Sequence, residues 1–245
     1  MVHSARNSMT TKRRRQLILE VALKVFATEG FRNTEVQAIA DLARVGKGTV
    51  YRYFGNKQKL FLATARASVE WLAQDVASRM VGARTTAELL RRIAVSCAQY
   101  CQAHSETVEI TIQERAEFRE TVFSTALMFR GDKSGGLVDM IRNASQGGEF
   151  REVDPLVTAT TFLDLIYGSV VCGCLAGGRQ TLVSRMNSAM DLFLEGILNR
   201  DAHGVVPMQA AEAASLVLDQ KSGEHGSQIS IDTSRDQEYI EFQNT

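Results

Sequence analysis

The sequence predicts an all-α protein. Ala, Leu and Val recur at helical spacing along most of the chain. Only two prolines interrupt its 245 residues. The composition, 44% hydrophobic and 23% charged, is that of a soluble globular chain long enough to bury a large core in one or two domains.

Residues 1–11 read as a polar, mobile arm. Lys12-Arg13-Arg14-Arg15 follows, a cationic run with two open readings: it lies along DNA phosphates, or it stays solvated. The first helix is expected from Thr11 to Thr28, with Ile18, Val21, Ala22, Val25 and Phe26 as its apolar face. Glu20 and Lys24 interrupt the apolar run after Arg15 at helical spacing and no small-residue cleavage site follows, so the segment does not read as a secretory signal. Gly30 is expected as the C′ residue, with Phe31 packing back beyond it.

Thr34 and Gln37 have the spacing of a capping box, which predicts a helix starting at Thr34. Val36, Ile39, Ala40 and Ala43 form its apolar side. A turn at Arg44-Val45-Gly46 follows, with Val45 as the apolar pin and Gly46 as N-cap of a short helix over Lys47–Tyr53. Phe54 closes this small core. Gly55-Asn56 breaks and restarts the chain, with Asn56 as the next N-cap.

A long helix is then expected from Lys57 to about Met80, linking head and body. Thr85 and Glu88 predict a capping box and a helix to about Ala103. Ser105–Phe118 and Glu120–Met128 read as helical, as does Asp139–Ala144 after an interruption at Gly131–Gly136. Gln146–Arg151 reads as a loop. Asp154 before Pro155 marks a strong helix start, cap then first turn, running to about Leu175. A last body helix is expected over Thr181–Leu198. Residues 200–245 are polar and acidic and predict a mostly disordered tail.

The net charge of zero hides an asymmetry. Residues 1–59 hold twelve Lys and Arg against four Asp and Glu, and the remainder carries the opposite surplus. A basic head on an acidic body suits a nucleic-acid reader joined to something that avoids nucleic acid. The cations coincide with two short helices joined by a tight turn, a helix-turn-helix. Its second helix carries Lys47, Thr49, Tyr51, Arg52 and Tyr53, side chains suited to meeting phosphates and base edges together.

The motif also resembles one family. Ile39-Ala40, Val45, Gly48-Thr49-Val50-Tyr51, Phe54 and Lys57, extended back through Phe26, Gly30, Phe31 and Thr34, is similar as a set to the DNA-binding segment of TetR-family transcriptional regulators. The resemblance covers roughly the first quarter of the chain. Two positions depart from it: Arg44 stands where the family has Gly, and Gly46 where it has Ser. Either the backbone at Arg44 is ordinary, or Arg44 accepts a strained positive φ. Gly46 for Ser costs only about a few tenths of a kcal/mol at an N-cap.

The resemblance implies a helix-turn-helix DNA-binding domain over residues 12–59 and a helical effector-binding and dimerisation domain over 60–199. The helix-turn-helix reading and the resemblance together give as expected DNA contacts Thr34, Arg44, Gly46, Lys47, Gly48, Thr49, Tyr51, Arg52, Tyr53 and Lys57. Among these, Lys47 sits nearest the bases, Tyr51 and Tyr53 touch backbone or base methyls, and Lys57 holds a phosphate. The resemblance further implies a homodimer on a palindromic operator in double-stranded DNA, most often a repressor, released by a small molecule among the body helices. Candidate cavity residues are Trp71, Tyr100, Phe118, Met128, Phe162 and Tyr167. The last two body helices would form the dimer contact through Gly168, Gly173, Leu182, Met186, Met190 and Phe193.

Other readings are weaker. No catalytic motif, P-loop or strand-borne glycine fingerprint is present, so no enzyme, cofactor or catalytic metal is expected. Cys97 and Cys101 share a helix face, with His104 three residues on and Cys172 and Cys174 on a later helix. A thiol-based redox regulator is one alternative, against four small buried apolar residues. An architectural DNA-binding protein without an effector is another. Thr160–Gly178 is the most apolar segment, but Asp164 and its glycines make it a poor membrane span. The expectation is a cytoplasmic protein with reduced cysteines.

Overall fold

The computed structural model describes residues 2–118, 134–175 and 181–199. It is all-α. In chain order the helices are α1 (Val2–Asn33), α2 (Val36–Leu42), α3 (Lys47–Phe54), α4 (Lys57–Ser78), α5 (Thr86–Ala103), α6 (Ser105–Glu117), α7 (Ser134–Gln146), α8 (Pro155–Leu175) and α9 (Leu182–Ile197). The anticipated helix over Glu120–Met128 and the tail 200–245 lie outside the described residues.

Local signals start and stop most of these helices. Asn56 Oδ1 accepts the Lys59 N–H at 2.8 Å and opens α4. Thr85 Oγ1 accepts from Glu88 N at 3.1 Å and opens α5. Asp154 Oδ1 accepts from both Leu156 and Val157 N–H at 2.9 Å, and Thr181 Oγ1 accepts from Ser184 N. Each oxygen satisfies a first-turn N–H that has no partner inside its own helix.

Two expectations are corrected at the head. The backbone of α1 is helical from Val2, upstream of the expected start at Thr11 and through the residues read as an arm. The capping box at Thr34 and Gln37 does not form. The N-cap of α2 is Glu35, the Thr34 hydroxyl donates to the Gly30 carbonyl at 2.7 Å, and Gln37 Nε2 donates to Asp41. The cause is Gly30 itself. At φ 79° and ψ 157° it turns the chain and aims its carbonyl at Thr34, whose hydroxyl is then better used closing that corner.

Two apolar cores result. One gathers Ile18, Ala22 and Phe26 of α1, Ile39 and Ala40 of α2, Val50 and Phe54 of α3, and Leu60 and Phe61 of α4. The other is built from α4, α5, α7, α8 and α9 around Leu89, Leu90, Ile141, Phe162 and Met186, each fully buried. Helix α6 joins them. Ile110 lies in the first core, while Val108, two residues earlier on the opposite face, lies in the second. Phe118, just past α6, stacks edge-on against Phe31 with centroids 4.9 Å apart, and Arg32 pairs with Glu117 through Nε at 3.0 Å to both oxygens.

Helix α8 is long and apolar enough to cross a membrane by length and composition alone. Here it packs against α5, α6, α7 and α9. Gly173 faces Leu182 so closely that a Cβ there would meet the end of the Leu182 side chain, which fills the notch between α8 and α9.

Candidate nucleic-acid interface and effector cavity

Helix α3 divides cleanly. Val50 and Phe54 face the core, while Lys47, Gly48, Tyr51 and Arg52 are exposed and Thr49 and Tyr53 half-buried. The period follows from α-helical geometry: residues three or four apart share a face. Gly46 is the N-cap, with extended φ and ψ and no side chain to cap with. Gly48 has open space where a Cβ would sit, so the exposed face is flat at that point. The Arg52 guanidinium lies over the Tyr53 ring at 5.9 Å, which holds both side chains along the helix.

The turn before α3 resolves the question posed by Arg44. Its φ is 53°, and among the described residues no other non-glycine has a positive φ. Ala43 caps α2. Arg44 N–H then donates to the Asp41 carbonyl at 3.0 Å and Val45 N–H to the Ala40 carbonyl at 2.9 Å. That pair of bonds is a Schellman motif, whose C′ residue must be left-handed. Arg44 therefore accepts the strain, at about 1–2 kcal/mol, and its exposed side chain stands beside the start of α3.

Two other expected contacts are differently placed. Thr34 is only 2% exposed, and its hydroxyl donates to the Gly30 carbonyl at the corner between α1 and α2. Lys57 is half-buried: its ammonium donates to the Arg32 carbonyl at 2.9 Å and lies 5.0 Å from the Phe31 ring centroid. It stitches the start of α4 to the end of α1, and two of its three protons remain for another acceptor.

The body contains a small apolar cavity of about 50 Å3. Leu72 of α4, Cys97 and Cys101 of α5, Thr107 of α6, and Ile166 and Tyr167 of α8 are among its walls. Of the six residues expected to line such a cavity, Tyr167 does so. Phe162 is wholly buried against Phe193, Phe118 belongs to the aromatic cluster with Phe31 and Phe61, Trp71 packs against the head core, and Tyr100 stacks on His104. Met128 lies outside the described residues. The large aromatics were drawn into cores because they bury the most apolar area. The Thr107 hydroxyl is buried in the wall without a well-formed hydrogen bond, although the Tyr100 hydroxyl is near it.

Burial pushes the thiols of Cys97 and Cys101 up to about 12, with smaller like-charge contributions from Cys101 on Cys97 and from Cys174 on Cys101. Such thiols stay protonated and unreactive at neutral pH. Cys172 is exposed. Among the described residues no three His, Cys, Asp or Glu side chains converge in a way that would hold a metal ion.

The dimer-contact residues are also redistributed. Met186 and Met190 are fully buried within their own chain, Leu182 fills the notch at Gly173, and Phe193 lies on Phe162. Gly168 alone among them has open space above it. The apolar side chains that α8 and α9 do present outward are Leu156 (63% exposed), Val157, Tyr167 and Leu192 (74%).

Residues 18–64 match the family described as bacterial regulatory proteins, tetR family. The chain carries a TetR-family DNA-binding segment. It is a DNA-binding transcriptional regulator, and the family is regulatory rather than enzymatic. The chain is similar to the HTH-type transcriptional regulator YhgD of Bacillus subtilis, 29% identical over 62% of this chain and 80% of that protein. It is similar to the fatty acid metabolism regulator protein of Bacillus subtilis, 23% identical over 75% and 95% of the two chains. Among solved structures, FadR from Bacillus subtilis in complex with stearoyl-CoA superposes with a TM-score of 0.63 at 21% identity, over 74% of this chain and 98% of that one.

Proposed function

We infer that this regulator is a homodimeric repressor that reads a palindromic operator with α3 and leaves it when an acyl effector enters the body cavity. The observation that carries the reading is the partition of α3. Its inward positions are fully used by the core, so exposed Lys47 and Tyr51 are left facing outward for a partner. Lys47, nearest the helix N-terminus, suits base edges. Tyr51, Arg52 and Tyr53 suit the backbone, and Arg44 and Lys57 suit phosphates on either side. Gly46 and Gly48 allow close approach.

One such head reads too few base pairs for useful specificity, and a second copy doubles the site. The exposed stripe of Leu156, Val157 and Tyr167 on α8, beside Leu192 on α9, supports a face for that second copy. The setting is the cytoplasm, where DNA and reduced thiols coexist.

The cavity supports an effector with an alkyl portion, because its walls are almost wholly apolar. At about 50 Å3 it accepts only a short segment unless α5, α6 and α8 part. Parting them moves α6, which holds the head through Gln113, Glu117 and Ile110. That linkage favours effector release over an architectural role without a ligand. The buried, protonated thiols leave a redox role unsupported.

The test is anisotropy of a labelled operator duplex titrated with acyl-CoAs of increasing chain length and with free CoA. Long acyl chains should release the DNA and free CoA should not. Binding unchanged by every chain length would reject the acyl effector.

A further inference from the structure

We propose that Lys12, Arg13 and Arg14, in the N-terminal half of α1, form a second DNA-contacting surface that holds the phosphates flanking each half-site. The inference rests on the operator-binding reading above and extends it to residues upstream of the family match, which begins at residue 18.

Three observations carry it. First, the charge is unopposed: residues 1–19 contain no carboxylate, and among the described residues no ion pair uses Lys12, Arg13, Arg14 or Arg15. All four side chains are exposed. Second, the run is attached to the reading head. The Arg15 guanidinium lies over the Phe54 ring at 5.3 Å, and Phe54 is the last residue of α3. Ile18 and Leu19, directly after it, are locked in the head core. Third, the backbone through the run is helical, so the cations sit within about one turn, roughly 5 Å of axis, held next to the C-terminal end of α3.

A run of cations on a free tail is usually solvated and does nothing specific. Here the helical backbone that carries the run is anchored by the Arg15 cation–π contact to the helix that carries the base-reading side chains, so the run is held beside that helix and not on a free tail. The partner chemistry is the sugar–phosphate backbone, since consecutive flexible cations neutralise phosphates and carry no base pattern. Arg15 is the anchor and not one of the contacts.

The experiment compares full-length wild type with the triple variant Lys12→Gln, Arg13→Gln, Arg14→Gln. Both are titrated across a salt series against a long operator duplex and one trimmed to the half-sites. Expected are a salt slope lower by about two to three units per protomer and a roughly ten- to hundredfold weaker affinity for the long duplex. The flanks should strengthen wild-type binding but not that of the variant. Equal thermal melting of the two proteins, with the same half-site sequence selected, attributes the loss to the flank. An unchanged salt slope and unchanged flank dependence would overturn the proposal while leaving the operator reading intact. A wild type that selects no sequence at all would overturn both.

Discussion

Gln113 on α6 holds Phe31 across the break at Gly30: its Oε1 accepts the Phe31 backbone N–H at 3.1 Å, while its Nε2 donates to the Phe26 carbonyl at 3.0 Å. One carboxamide thus serves both sides of a kink where α1 leaves backbone groups without helical partners. Together with Arg32–Glu117 it makes α6 the strut between the two cores. Gln113→Ala should cost about 1–3 kcal/mol, because half-buried backbone groups lose their partners. Chemical denaturation measures it. Arg32→Ala, which breaks an exposed pair, should cost under about 1 kcal/mol.

Arg44 sets stability against binding. Arg44→Gly should stabilise the fold by about 1 kcal/mol, since glycine enters the left-handed C′ position without strain. The same variant should bind operator more weakly, with a salt slope reduced by about one unit per protomer. Melting and salt titration on one preparation check both. A stabilised variant with unaltered binding would remove Arg44 from the interface.

Lys57 has two tasks in the proposed complex. Lys57→Met keeps the aliphatic stem over Phe31 but removes the ammonium that donates to Arg32. It should lose about 1 kcal/mol of stability and about one unit of salt slope, equally on all sequences. An unchanged slope would confine Lys57 to the stitch between α1 and α4.

The buried thiols predict an alkaline instability. An ordinary thiol titrates near 9, whereas Cys97 and Cys101 in the fold titrate near 12. Above pH 9 the unfolded chain has released these protons and the folded chain has not. Rising pH therefore draws the equilibrium toward unfolding, by about 1.4 kcal/mol per pH unit per thiol until the folded values are reached. Below pH 9 the two contribute no slope. Denaturation across pH 8–11 should reveal the decline, and Cys97→Ala should reduce its steepness relative to its own neutral-pH stability. At neutral pH, alkylating reagents should modify exposed Cys172 and spare Cys97 and Cys101 in the native protein.

What the sequence made legible was local. The caps at Asn56, Thr85 and Asp154 act within three residues, and the inward pair Val50 and Phe54 follows from helical period alone. Contacts across long sequence separations were not legible. Gln113 meets Phe31 across 82 residues, and Glu149 caps α5 by accepting the Thr86 and Ala87 N–H groups across more than 60. Neither leaves a mark in its own neighbourhood. Thr34 was misassigned because a hydroxyl before a helix has two uses, and the kink at Gly30 decided between them. Met186 and Met190 lie in the core of their own chain; an apolar stripe records burial without saying whether its partner is α5 of the same chain or a second copy.

The central claim is that α3 reads DNA sequence. The measurement that tests it most directly is selection from a random duplex pool, using protein unfolded and refolded to strip any bound ligand, beside its Tyr51→Ala variant. The account predicts an enriched inverted repeat with half-sites about one helical turn or slightly more apart, weakened or lost in the variant. A refolded wild type that enriches no motif above salt-sensitive background, or a Tyr51→Ala protein that enriches the same motif equally well, would contradict it.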